Sequence, residues 1–282
     1  MNEEINDKVA IISGTGSLPR FLSESLLKKN IKHLVVYFSE IKPTWTSPKV
    51  DMIFGEIEQI GKLFADLKSN AFTKIVFAGA FERPKLNLKA ADEKFLALAP
   101  DISKAMKAGD DTILRLLIKI FENEGFVVIG AQDVLPSLFP PLGVLTDKYP
   151  SEHDKMDIIR ARDIIDKLGE VDVGQACVVS NGLCFGLETI QGTEAMLRFV
   201  KNNSGLNVLS KKGKSGVFFK NIKCNQSRLI DVPVVGPDTI KQASNAKLNG
   251  IAIVHNNVFI LDILKTISLA NKEGLFISVI AE

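Results

Sequence analysis

Residues 11–27 read IISGTGSLPRFLSESLL. Ile11 and Ile12 belong to an apolar strand, Gly14-Thr15-Gly16 interrupts it, and Ser17-Leu18-Pro19 opens a stretch with helical apolar spacing. Strand, glycine turn and helix in that order begin a β-α-β unit, and ligands of open parallel sheets sit at such strand ends. A dinucleotide fingerprint needs G-x-G-x-x-G and an acid near the end of the second strand. Here Pro19 stands where the third glycine belongs, a residue suited to the first turn of a helix. The second strand ends Val36-Tyr37-Phe38-Ser39 before Glu40. The turn reads as nucleotide- or sugar-facing, and nicotinamide or flavin chemistry is disfavoured.

Outward from that turn, strand-like runs at 8–13, 33–38, 74–78 and 126–129 alternate with helical patterns at 18–29, 57–69 and 112–124. Alternation of this kind predicts a parallel sheet with helices on both faces over residues 1–135. Gly79-Ala80-Phe81 then falls at a second strand end. Four of the eleven prolines lie within 136–154, so 136–153 is expected to link two domains. A second α/β pattern fills 154–282. It holds a hairpin at 175–180 and 184–188 turned by Asn181-Gly182, helices at 193–202, 238–248 and 262–273, and strands at 216–220, 250–254, 258–261 and 275–279. The fold class is therefore α/β in two domains, the second built on a mixed sheet.

The 282 residues are 46% hydrophobic and 24% charged, which fits a well-filled globular core. A formal charge of +2 argues against general nucleic-acid binding. From Arg198 to Ile230, however, eight Lys or Arg residues occur with no Asp or Glu. Such a run is either a solvated face or a surface for an anionic ligand or acidic headgroups. Cys177, Cys184 and Cys224 show no C-x-x-C pairing, as expected of apolar filler thiols in a reducing compartment. The acidic start MNEEINDK is unlike a signal peptide, and no apolar run nears the ~18 residues of a membrane span. A cytoplasmic protein with at most peripheral membrane contact is expected.

His33, His153 and His255 are scattered and form no H-E-x-x-H pattern, which speaks against catalytic zinc. Neither a G-x-S-x-G elbow nor a Walker lysine is present. A metal here is expected to be hard, held by carboxylates and phosphate oxygens. Asp110 and Asp111 precede a helix, either as an N-cap or facing a ligand. Glu188 ends a strand and Thr193 with Glu194 opens the next helix, where capping alone accounts for them. Asp231 follows the basic run on a loop stiffened by Pro233 and Pro237, suited to binding Mg²⁺ or activating water. Its structural alternative is a surface acid paired with Arg228.

Seven stretches occur in order: GTGSLP, FAGAFERP, KAGDDTILRLL, DVGQACVV, GLETIQGTEAML, RLIDVPVVGPDTI and GLFISVI. Together they resemble the two-domain, Mg²⁺-dependent UDP-2,3-diacylglucosamine pyrophosphatase family of lipid A biosynthesis. The resemblance implies a Rossmann-like N-terminal domain and hydrolysis of UDP-2,3-diacylglucosamine to UMP and 2,3-diacylglucosamine 1-phosphate, with water attacking the α-phosphate. It implies Mg²⁺, or Mn²⁺ in its place, and a site between the domains. Asp231, in Asp231-Val232-Pro233 where the family has Asp-Leu-Pro, is implied as catalytic residue, metal ligand or general base. Gly14, Gly16, Gly79, Arg83, Asp110, Asp111, Gln175, Glu188 and Thr193 are implied as substrate-binding. Partners implied are the lipid-linked nucleotide sugar and the inner-membrane surface, with a homodimer admissible. Gln191-Gly192-Thr193-Glu194 departs from the usual Glu-Gly-Thr-Asp. The competing readings are a non-catalytic nucleotide-sugar-binding protein and a nicotinamide oxidoreductase.

Overall fold

The computed structural model describes residues 8–38, 43, 45, 47–81, 86–108, 110–203, 214–224 and 226–282, without the side chains of 108, 110 and 111. Two compact units emerge: Met1–Pro136 with Ser227–Asp231, and Ser137–Gln226 with Val232–Glu282.

The first unit comprises β1 (Lys8–Ser13), α1 (Leu18–Lys28), β2 (His33–Phe38), β3 (Asp51–Gly55), α2 (Ile60–Ser69), β4 (Phe72–Ala78), α3 (Glu93–Ala108), α4 (Asp110–Asn123), β5 (Val127–Ile129) and α5 (Ala131–Val134). Its strands are all parallel in the order β3-β2-β1-β4-β5. The central β1 is buried on both faces, which is why Val9–Ile12 is a continuous apolar run. Phe64, Phe95, Ile118 and Phe121, from α2, α3 and α4, cover Ile12, Val36 and Ile75 on one face. Phe121 packs near-perpendicular to Phe64 and Phe77, with centroids 5.1 and 5.3 Å away. Strand alternation turns Val9, Ile11 and Val35 to the opposite face, where α1 contacts β1 and α5.

Three elements of this unit, β3, α3 and the short α5, are additions to the sequence expectation. Pro100 lies inside α3 and argues locally against a helix. Burial of Phe95 and Ile102 against α2 and α4 overrides that local signal.

The second unit comprises β6 (Gly143–Val144), α6 (Glu152–Glu170), β7 (Ala176–Ser180), β8 (Leu183–Leu187), α7 (Gly192–Asn203), β9 (Val217–Lys220), β10 (Val234–Val235), α8 (Pro237–Asn245), β11 (Gly250–Val254), β12 (Phe259–Ile260), α9 (Ile263–Lys272) and β13 (Phe276–Ile280). Its six-stranded sheet runs β6-β13-β11-β9-β7-β8. Strands β9, β11 and β13 are parallel, while β6 and β7 run against their neighbours. A separate parallel pair joins β10 to β12. Helices α7, α8 and α9 pack on one face and α6 on the other.

Helix α6 is absent from the sequence expectation because its composition is polar. Its signals are short-range: Ser151 Oγ accepts from Asp154 N–H at 3.2 Å, and Asp154 Oδ2 accepts from Ser151 N–H at 2.9 Å. Ile158, Ala161 and Ile165 then recur on the buried face. The carboxylate of Asp157 accepts from the N–H groups of Asn181 and Gly182 at 3.0 and 2.7 Å, fixing the β7–β8 turn to α6. Residues 137–153, read from sequence as part of a link, belong to the second unit, where β6 pairs antiparallel with β13. Among the thiols, only Cys177 is buried filler; Cys184 and Cys224 are exposed.

One buried polar pair in the first unit has a measurable consequence. His33 Nδ1 donates to the Ile31 carbonyl at 3.1 Å, leaving Nε2 to accept from the buried Ser23 hydroxyl at 2.7 Å. Burial holds the imidazole below its ordinary 6.5, against the smaller opposing effect of the Ile31 bond. The unfolded chain then binds the proton first as pH falls, so the stabilising contribution is complete above about 6.5 and is lost on acidification through the folded value. Denaturant melts from pH 7.5 to 5 should show this slope, and His33→Gln should flatten it.

Candidate active site

The turns after β1 and β4 lie side by side where the order of the first sheet reverses, the expected ligand position in a doubly wound sheet. They are joined by backbone: Gly14 N–H donates to the Ala78 carbonyl at 2.8 Å, and Thr15 and Ala80 exchange N–H···O bonds at 2.8 and 3.1 Å. A Cβ on Gly14 would sit 2.3 Å from the Ala80 oxygen, and one on Gly79, at φ +95°, would sit 2.3 Å from the Thr15 oxygen. These two glycines thus admit each other's loop. Gly16, at φ +94°, has open space on its side-chain side.

In the second unit, the carboxyl ends of β8 and β9 and the amino end of β7 meet. Ala176 pairs with Lys220, and Glu188 N–H donates to the Ala176 carbonyl at 2.8 Å. This register sets three side chains together. Thr193 Oγ1 donates to Glu188 Oε2 at 2.5 Å, Lys220 Nζ donates to Thr193 Oγ1 at 2.9 Å, and Lys220 Nζ lies 3.8 Å from Glu188 Oε2. Lys220 and Glu188 are 5% and 7% exposed, so this is a buried ion pair relayed through a hydroxyl. Lys220 Nζ also reaches the Val234 carbonyl at 3.4 Å. The buried Oε1 of neighbouring Gln175 has no hydrogen-bond partner. Next to Lys220, Asn221 Oδ1 accepts from Ile222 N–H at 2.9 Å and Asn257 Nδ2 at 3.0 Å.

Glu188 and Thr193 are therefore brought together with Lys220, whereas Gln175 precedes β7 and meets this region through its backbone carbonyl, which accepts from Asn221 N–H at 3.0 Å. Thr193 lies within α7, which begins at Gly192, and its hydroxyl serves Glu188 rather than capping the helix. Asp231 is half-buried, its N–H donating to the Ser227 carbonyl at 3.1 Å. It closes the 227–231 segment, in which Leu229 and Ile230 pack on the core of the first unit. Three residues later Val234 accepts from Lys220. Asp110 is the first residue of α4, with Asp111 next; their side chains, like Arg83 and Gly109, lie outside the described residues.

The basic run does not form a single face. Arg198 lies 3.8 Å from Glu194 and Lys223 2.5 Å from Asp172, Lys214 meets the Glu273 carbonyl, and Lys220 turns inward. Lys211 and Lys212 lie outside the described residues. Lys220 is the member of this cluster that sequence reading left undistinguished within the basic run. Its signal was position, as the polar last residue of the apolar strand Val217-Phe218-Phe219-Lys220.

Residues 8–138 match the LpxI N-terminal domain and 141–278 the LpxI C-terminal domain. A Caulobacter vibrioides protein, UDP-2,3-diacylglucosamine pyrophosphatase LpxI, is 30% identical over 273 residues, covering 96% of each chain. This chain belongs to the LpxI family. Solved structures of the leucoanthocyanidin reductase–NADPH complex from Vitis vinifera and of an isoflavone reductase align with 98% of it, and with 78% and 80% of their own lengths. Both are 12% identical to it at a TM-score of 0.27.

In this LpxI chain, truncating Lys220 leaves Glu188 buried without its cation. Lys220→Met is expected to cost about 3–5 kcal/mol in urea unfolding. Adding Glu188→Gln should recover most of that loss, because the buried charge leaves with its partner. Equal losses in the single and double variants would remove the ion pair from this description.

Proposed function

We propose that this chain hydrolyses the diphosphate of UDP-2,3-diacylglucosamine to UMP and 2,3-diacylglucosamine 1-phosphate, in lipid A biosynthesis. The observation that carries the reading is the likeness, across 96% of both chains, to a relative named for that pyrophosphatase activity. The Glu188–Thr193–Lys220 cluster supports it by placing a cation and a hydroxyl at one group of strand ends. Lys220, held by Thr193, would neutralise phosphate oxygens as charge develops on them. Gln175 Oε1 would accept from a sugar hydroxyl or the attacking water. The family resemblance adds Gly14, Gly16, Gly79, Arg83, Asp110 and Asp111 as substrate contacts.

Asp231 is the proposed catalytic residue. Among the described residues, no three His, Cys, Asp or Glu side chains converge to cage a metal. That donor chemistry fits Mg²⁺ or Mn²⁺ shared between Asp231, water and the diphosphate, as Mg²⁺ is commonly held. When bound, the ion would neutralise charge and make water more acidic. The substrate's acyl chains set the work at the cytoplasmic surface of the inner membrane, with the protein attached peripherally. Among the described residues, no helix is long and apolar enough to cross a membrane.

Release of UMP from UDP-2,3-diacylglucosamine by the purified chain is the direct test, and binding without turnover would favour a non-catalytic nucleotide-sugar protein. Chelation should abolish turnover and Mg²⁺ or Mn²⁺ restore it. Asp231→Ala is expected to fold and to lose about 10²–10⁴-fold in rate. With Asp231→Asn, a rise in the Mg²⁺ concentration needed for activity indicates a ligand, whereas a low rate at saturating Mg²⁺ indicates a base.

Attack on the α-phosphate makes a separate prediction. In ¹⁸O-labelled water the label should enter UMP. Label found only in the sugar 1-phosphate would keep the substrate and overturn the site of attack.

A further inference from the structure

Asp231 is carried on a piece of chain that changes unit twice. The chain leaves the second unit after Gln226, spends Ser227–Asp231 on the first and rejoins the second at Val232. Leu229 and Ile230 pack on the core of the first unit. Apolar packing sets the depth of such a segment but not its rotation or register, because it has no preferred direction. Three hydrogen bonds supply direction. Asp231 N–H donates to the Ser227 carbonyl at 3.1 Å, Leu229 N–H to Ser227 Oγ at 3.3 Å, and Gln132 Nε2 to the Arg228 carbonyl at 3.3 Å. The first two are internal to the segment. Of the three, the Gln132 bond is the one that ties the segment's backbone to the rest of the first unit.

The Gln132 end of that tie is itself held. Gln132 lies in α5, whose start is closed by Gly130 N–H donating to Asp133 Oδ2 at 2.7 Å. The last carbonyl of α5, that of Val134, accepts from Ser25 Oγ and Lys29 Nζ, at the end of α1, at 3.0 and 2.8 Å. The Gln132 amide folds back over Gly130, where a Cβ would lie 2.1 Å from Nε2 and 2.6 Å from Oε1. Turning the amide over would set Oε1 against the Arg228 carbonyl, so the donor orientation is the one that bonds. We propose that Gln132, seated over Gly130, is a positioning residue: by holding the Arg228 carbonyl it sets where Asp231 stands. The proposal rests on the reading of Asp231 as the catalytic residue and adds to it how the first unit places that carboxylate.

Two variants break the tie in different ways. Gln132→Met keeps the length of the side chain and removes the donor. Gly130→Ala leaves Gln132 unaltered but takes the space of its amide. Gly130 has φ −78° and ψ 156°, which alanine adopts without strain, so this variant is expected to fold even if Gln132→Met does not. Each is compared with the wild-type chain by kcat and KM for UDP-2,3-diacylglucosamine at saturating Mg²⁺, by urea unfolding, and by amide hydrogen exchange read by mass spectrometry. Each should lower kcat by about tenfold, the scale of one lost hydrogen bond that aligns a reacting group, with KM within about twofold. Exchange should quicken over 227–231 and stay as in the wild type outside α5, with the urea midpoint unmoved, because the loosening is local.

Unchanged kcat in either folded variant would overturn the proposal, whether or not the segment loosens. Faster exchange along the whole chain with a lower urea midpoint would also overturn it, by making Gln132 a residue of general stability. If the wild-type chain releases no UMP, the hydrolase reading fails by itself. Exchange over 227–231 then still decides the anchoring: local quickening in the variants supports it, and wild-type exchange in both overturns it.

Discussion

Burying Lys220 and Glu188 in the second unit costs each ion several kcal/mol of solvation, and attraction across 3.8 Å offsets that only if the remaining donors and acceptors are also met. Thr193 supplies the missing link, donating to Glu188 and accepting from Lys220. The Val234 carbonyl takes a further Lys220 proton. Much of the local architecture follows from these needs. α7 must begin at Gly192 to put Thr193 in reach, β10 must pass close enough for Val234, and β7 must run antiparallel to both β8 and β9 so that their ends coincide. A buried pair of this sort contributes little to stability compared with a well-packed apolar substitute. Its value is positional: it fixes where α7, β8 and β9 meet.

The first unit applies a different constraint to the same end. Its strand order reverses between β1 and β4, and a Cβ on Gly14 or Gly79 would collide with the backbone of the facing loop there. Glycines at 14 and 79 let the loop backbones bond to one another, forming a small antiparallel bridge over the end of a parallel sheet. The glycine turn that opens the sequence is thus answered in two parts. Gly14 closes the fold, whereas Gly16 has open space on its side-chain side.

Much of this was legible in the sequence wherever a signal was local. β1, β2 and β11 are bounded by glycine or polar turns and are apolar on both faces, so their limits follow from hydrophobicity alone. Elements whose stability comes from elsewhere were not legible. α6 is polar along most of its length and is held by Ser151, by Asp154 reaching Asn249, and by Asp157 reaching the β7–β8 turn, across 95 and 24 residues respectively. α3 tolerates Pro100 because its neighbours bury Phe95. The site divides the same way. Gln175, Glu188 and Thr193 were marked by resemblance to a family, while the bond between Thr193 and Glu188 and the arrival of Lys220 are properties of strand register, which no linear pattern records.

The basic run from Arg198 to Ile230 shows why linear charge is a poor guide to a surface. A stretch without acids reads as a positive face only if acids from other segments stay away, and here they do not. Glu194 and Asp172 approach Arg198 and Lys223, and Glu273 offers its carbonyl to Lys214. What remains of the run's electrostatic meaning is concentrated inward, at Lys220. A solvated lysine lends weak, salt-screened attraction to any anion. A buried one, held against a threonine, acts strongly over a short distance and on a group in one position, as diphosphate chemistry requires. Among the described residues of the run, Arg198, Lys214 and Lys223 meet acids or a carbonyl and Lys220 turns inward, so linear charge alone does not define a face there.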